Sequence, residues 1–293
     1  MDGTAGATSV GAEVDDDATW NCSVHPSVFF LLGTLVLTTC ATGMLCAAIM
    51  TDHWEEVTWD VERLDAFANG TVRLQWLLDK KVVKVTTNDA QERTVAFFVP
   101  MHGGIWTLCL SISEEEIVLL NRVGFPPVQP CVNYLAGGPY TIRGFESRTD
   151  WQHRMQNLSI SCALVCLIIL GSAALVGAFG VFQHQISAVL VTGVMYLLAA
   201  SFALFTLTII HFKRLHIKPK SEEHSGTIDG VILAYSARMA ERKIVELLPA
   251  RIFTTSWSLD LGWGGVMLCV MTSVLWILLS KIMRFNPISS MIN

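Results

Sequence analysis

Four stretches of this chain, residues 28–50, 158–182, 186–210 and 261–280, contain no Asp, Glu, Lys or Arg. Each is long enough to cross about 30 Å of hydrocarbon as a helix, which takes roughly 18 to 20 apolar residues. In lipid every backbone N–H and C=O must be satisfied within the chain, so segments of this kind are confined to helices. Composition agrees: 15% charged and 52% hydrophobic residues, with a mean hydropathy of +0.48, exclude an ordinary soluble domain. The net charge of −5 and the acidic isoelectric point near 5.9 exclude a basic nucleic-acid binder. The first span is not expected to be a cleaved signal, because the preceding tail has five acids and no Lys or Arg where a positive n-region belongs.

The expected organisation is an acidic tail 1–27, a span 28–50, a loop 51–157, a span 158–182, a turn 183–185, a span 186–210, a loop 211–255, a span 256–280 and a tail 281–293. The last span is entered through Trp257 and Asp260. Four spans put both termini on one side and both loops on the other. The residues leave the side open. Lys and Arg number ten in the first loop and eight in the second, against Lys281 and Arg284 opposite, which by the positive-inside rule puts the loops in the cytoplasm. The sequon Asn69-Gly70-Thr71 argues instead for a glycosylated, luminal first loop, while Asn21-Cys22-Ser23 in the tail argues against that.

The first loop is patterned for strands. Segments 72–78, 82–87, 94–99 and 105–112 are rich in β-branched and aromatic residues, separated by turn chemistry at Asp79, Asn88-Asp89 and 100–104. An antiparallel sheet is expected there, with a short helix over 145–158 leading into the second span. In the second loop Ile228, Ile232, Leu233, Tyr235, Met239, Ile244, Leu247 and Leu248 recur at roughly helical spacing among basic residues, which predicts an amphipathic helix. Five of the eight cysteines, Cys40, Cys46, Cys162, Cys166 and Cys269, lie in the apolar runs and read as small core hydrophobes. Cys22, Cys109 and Cys131 lie in polar sequence, and any pairing among them is open on these grounds.

Taken in order, several motifs resemble the four-span superfamily of claudins, peripheral-myelin-protein-type proteins, clarins and calcium-channel γ subunits. Thr51-Asp52-His53-Trp54 follows the first span as the family's early loop tryptophan does, and Gly104-Ile105-Trp106 with Cys109 is similar to its Gly-Leu-Trp-x-x-Cys. Cys131 fills the second-cysteine position, Arg154 stands before the second span, and Ser256-Trp257-Ser258 at the entrance to the fourth is similar to the Gly-Trp-Ser of γ-subunit relatives. Ile105 replaces the family leucine. The wide Cys109–Cys131 spacing and the long second loop lie nearer the γ-subunit or clarin branch than the compact claudins.

The resemblance implies a left-handed four-helix transmembrane bundle with a small extracellular antiparallel sheet, a Cys109–Cys131 disulfide, and a multi-pass plasma-membrane protein with cytoplasmic termini. It further implies a non-enzymatic auxiliary or organising subunit that binds a channel or another membrane protein. The alternative is a claudin-like adhesion or paracellular barrier protein, and a membrane enzyme is a distant third. No cofactor, metal or small-molecule substrate is expected. The eight histidines form no His-Glu-x-x-His pattern, and neither a nucleophile elbow nor a phosphate-cradling glycine loop is present. Glu114-Glu115-Glu116 reads as a solvated turn, with a cation-attracting surface as the alternative. Ala173, Gly177, Gly180, Gly262 and Gly265 are expected to let helices approach closely inside the bundle. Asp260, near the start of the fourth span, is expected to meet a neighbouring helix.

Overall fold

The computed structural model describes residues 26–67, 72–88, 93–134, 150–216, 231–235 and 246–285. Four of its helices are long and apolar enough to cross a membrane, as the uncharged stretches require: α1 (Pro26–Met50), α4 (Asp150–Phe182), α5 (Ile186–His216) and α6 (Trp257–Phe285). They pack in the spatial order α1, α6, α5, α4, and α1 touches α4 only lightly. This is a multi-span membrane protein. The residues before 150, where the short lead-in helix was expected to begin, lie outside the described part; from Asp150 onward the helix is continuous with the second span.

Small residues set the helix spacing. A Cβ on Gly265 would lie 2.8 Å from the Leu45 side chain, and one on Gly177 would lie 3.0 Å from Thr192. Gly180 faces Ala188 and Val189 across the tight α4–α5 turn in the same way. These glycines serve contacts within the bundle. Two polar contacts join facing helices within the spans: Trp276 Nε1 donates to Thr38 Oγ1 (2.9 Å), and the Thr42 and Tyr196 hydroxyls meet at 3.0 Å. Such pairing is what hydrocarbon demands of buried polar groups. Asp260 departs from expectation. It is exposed in the first turn of α6, where its charge complements the helix N-terminus.

The loops build two antiparallel sheets rather than one. Sheet A has the order β7-β6-β5-β1-β9, from Cys131–Asn133, Thr107–Leu110, Met101–Gly103, Glu55–Trp59 and Arg251–Thr255. Sheet B has the order β2-β3-β4-β8, from Val72–Leu77, Val82–Asn88, Arg93–Phe98 and Val231–Tyr235. Strands β8 and β9 come from the second loop. They pair with β4 and β1 of the first, so the two loops fold together on one side of the bundle. Val231–Tyr235 is therefore a strand, not part of the amphipathic helix expected over that region. Its Val-Ile-Leu-Ala-Tyr run has high β-propensity, and the open edge of β4 supplies the hydrogen bonds that a helix would have made internally.

Both faces of sheet B contribute to buried cores, although Arg73 and Gln75 of β2 are exposed on the face that carries Val82. Val83, Val85, Ala96 and Phe98 pack with Trp59, Leu64, Val231, Leu247 and Ala250, while Val82 and Phe97 join Val57, Met101, Leu108 and Leu110 of sheet A. The period-2 alternation along β3 and β4 is what sends successive residues to these two cores. Two short helices complete the domain. Helix α2 (Val61–Ala66) is capped by Asp60, whose carboxylate accepts from the Glu62 and Arg63 N–H groups. Helix α3 (Glu114–Asn121) replaces the turn expected at the three glutamates. Ser113 and Glu116 form a reciprocal capping box, and the acids sit at the positive end of the helix dipole.

Candidate functional site

The motif residues converge where the sheets meet the bundle. The last four carbonyls of a helix have no partner within it, and here they emerge at a membrane boundary. In α1 three of them are taken up by the chain that follows. Thr51 donates its N–H to Ala47 O (3.1 Å), Trp54 Nε1 donates to Ala48 O (2.7 Å), and Trp106 Nε1 donates to Ile49 O (2.6 Å). The two tryptophans thus cap a transmembrane helix from two different strands' approaches. Trp54 is buried against Gly262 of α6, and Ile105 is fully buried in the bundle core.

Gly104 shows why that position takes no side chain. A Cβ there would stand 2.6 Å from the Asp52 Cα and 2.9 Å from the Thr51 carbonyl oxygen, closer than atoms can approach. The contact clamps the α1–β1 turn onto the β5–β6 turn. Further bonds spread the clamp to the other helices. Gln156 Nε2 of α4 donates to Ile105 O (2.8 Å), Thr51 Oγ1 donates to Ser258 Oγ (2.8 Å), and the Ser258 N–H donates to His53 O (3.3 Å).

Cys109 and Cys131 face each other across β6 and β7, with sulfurs 2.08 Å apart in a disulfide. The five cysteines of the spans are free thiols, while Cys22 lies outside the described residues, as does Asn69. Arg154 is exposed at the start of α4, and Trp257 is half exposed at the start of α6. Among the expected site residues, Trp54, Gly104, Ile105, Trp106, Cys109 and Cys131 are brought together; Arg154 and Trp257 flank them.

A polar cluster at this junction escaped the sequence reading. His53 Nδ1 lies 2.8 Å from Asp52 Oδ1, and His102 Nε2 lies 3.7 Å from Asp52 Oδ2. The two imidazoles stack with centroids 4.6 Å apart, and the Trp257 ring lies 5.9 Å from His53. His102 Nδ1 is hydrogen-bonded to Ser111 Oγ at 2.9 Å. Burial pushes the His102 imidazole below its ordinary range; Asp52 and Glu56 work against that, and His53 works with it. Cys109 Sγ lies 3.6 Å from Asp52 Oδ2, but a disulfide sulfur carries no proton, so this is a contact and not a hydrogen bond. Separation hides the cluster in the sequence: about 50 positions lie between residues that only strand pairing unites. The available signal was the position of His102 beside Gly103-Gly104, within the motif that docks on Asp52.

The sequence matches no family model, and no curated protein matches it significantly.

Proposed function

We propose that this chain is a non-enzymatic auxiliary subunit of the claudin, peripheral-myelin and γ-subunit type, oriented with the sheets outside the cell and both termini in the cytoplasm. One observation carries the reading: sheet A, on which sheet B packs, is fastened to α1, α4 and α6 by Trp54, Trp106, Gln156, Thr51 and the Gly104 clamp. A contact made on the sheets is therefore passed directly to the helices, and a partner gripping the helices is met by a fixed outer surface. That coupling suits a subunit that sits beside a channel and biases its conformation. The proposed orientation places the Cys109–Cys131 bridge in an oxidising compartment, where disulfides persist. It also makes Asn69 available for glycosylation.

Purification of the tagged full-length protein from its native membranes in mild detergent, with cross-linking, tests the role. The expected result is one channel or transporter subunit cross-linked to sheet residues, whose current changes on co-expression. Continuous junctional strands in cells lacking their own, with no such partner recovered, would replace this reading with the adhesive one.

A further inference from the structure

The Asp52–His102 pair has the spacing of two metal ligands rather than of a hydrogen bond. Their facing atoms are 3.7 Å apart, too long for a hydrogen bond. Two ligand atoms about 2.1 Å from a tetrahedral zinc stand roughly 3.4 Å apart, close to this gap. When His102 Nδ1–H donates to Ser111 Oγ, at 2.9 Å, Nε2 keeps its lone pair, 3.7 Å from the Asp52 carboxylate oxygen. That arrangement, with the far ring nitrogen held by a second hydrogen bond, is the one metal-bound histidines use. Asp52 is positioned in the same manner: His53 Nδ1 holds its Oδ1 at 2.8 Å, leaving Oδ2 to face His102, while Gly104 fixes its backbone. Glu56 lies opposite His102 in the β1–β5 register and adds a second carboxylate to the neighbourhood. Asp52, His102 and Cys109 have donor atoms all within 4.8 Å of one another, but the sulfur is committed to the disulfide, so the available donors are nitrogen and oxygen.

We infer that Asp52 and His102, supported by His53 and Ser111 and completed by Glu56 or water, bind a divalent transition-metal ion of the zinc class at the junction of sheet and bundle. Imidazole with carboxylate selects zinc and its first-row neighbours over calcium or magnesium. Bound there, the ion ties β5 to the α1–β1 turn and adds a removable link to the coupling of sheets and helices. The site stands independently of whichever partner the protein has.

The test is titration of Zn2+ into the purified, chelator-treated full-length protein by calorimetry, with Co2+ absorption as a reporter of coordination and Tm as a reporter of folding. Wild type should bind one Zn2+ per chain with a rise in Tm. Asp52→Asn and His102→Gln should each weaken binding by at least about tenfold, and so should Ser111→Ala, which removes only the supporting hydrogen bond from an exposed position. Glu62→Gln, at an exposed position of α2, should bind as wild type does. Each variant is checked for an intact disulfide and a metal-free Tm near that of wild type; if Asp52→Asn or His102→Gln fails this check, Ser111→Ala decides. Absence of Zn2+-dependent heat and Tm rise in wild type, or wild-type affinity in the folded variants, overturns the inference.

Discussion

At the scale of single residues, the junction is held by atoms with no room to give. Gly104→Ala would drive a methyl into the Asp52 backbone, which cannot swing aside as a side chain can. Thermal unfolding in detergent should show a loss of about 3 kcal/mol or more, the upper end of overpacking costs. Gly43→Ala, on α1 with nothing within 4 Å of the added methyl, should be neutral or slightly stabilising. Equal effects at the two positions would remove the clamp from the account. The motif was legible in the sequence as Gly104-Ile105-Trp106 after Trp54, but its chemistry was not. That the indoles cap α1 depends on where two loops return in space, which spacing along the chain does not state.

Among the elements, the helices were the easiest to read, because an uncharged stretch in lipid has one structural outcome. Strands β2, β3 and β4 were legible from their β-branched alternation, whereas Glu55–Trp59 was missed, since two acids open a five-residue segment that shows little hydrophobic signal. Three successive charges at 114–116 look solvated and predict a turn, although Ser113 with Glu116 is a helix-start signature. Glu116 is held below the ordinary carboxylate range, first by the Ser113 backbone N–H and then by Lys81, 2.9 Å away. A depressed carboxylate stabilises the fold above its unfolded pKa and loses that contribution as pH falls through its folded value. Glu116→Gln should therefore be less stable than wild type at neutral pH, with the difference vanishing in acid below the folded pKa. A difference that is constant with pH would contradict the assignment. The β6–β7 disulfide spans a sequence separation of 22. Closing a loop of that size is worth about 3 kcal/mol in the chain-entropy model, so the double change Cys109→Ser with Cys131→Ser should lower the unfolding free energy by about that amount. Cys40→Ser, at an exposed free thiol of α1, should leave it nearly unchanged, and calorimetric scans of both proteins make the comparison.

For the whole molecule, the principal finding is that the two loops are one folded body. Composition and periodicity gave each loop its own structure, a sheet for the first and an amphipathic helix for the second. The structure interleaves them, because edge strands left open by the first loop are closed by strands from the second. Nothing in either loop alone encodes that pairing, which is decided by the hairpin of α4 and α5 returning the chain to the same side. The most direct measurement is a cysteine pair across the β1–β9 ladder. Thr58 and Ile252 are exposed register partners, so Thr58→Cys with Ile252→Cys places two thiols side by side from opposite ends of the sequence. Cleavage at a protease site introduced between α4 and α5, followed by non-reducing electrophoresis, reads the cross-link. The two halves should stay covalently joined under mild oxidation or a short bis-maleimide, while Thr58→Cys with Lys281→Cys, at the far end of α6, should not join them. Halves that separate in the Thr58–Ile252 pair, in protein whose Cys109–Cys131 bridge is intact, would contradict it.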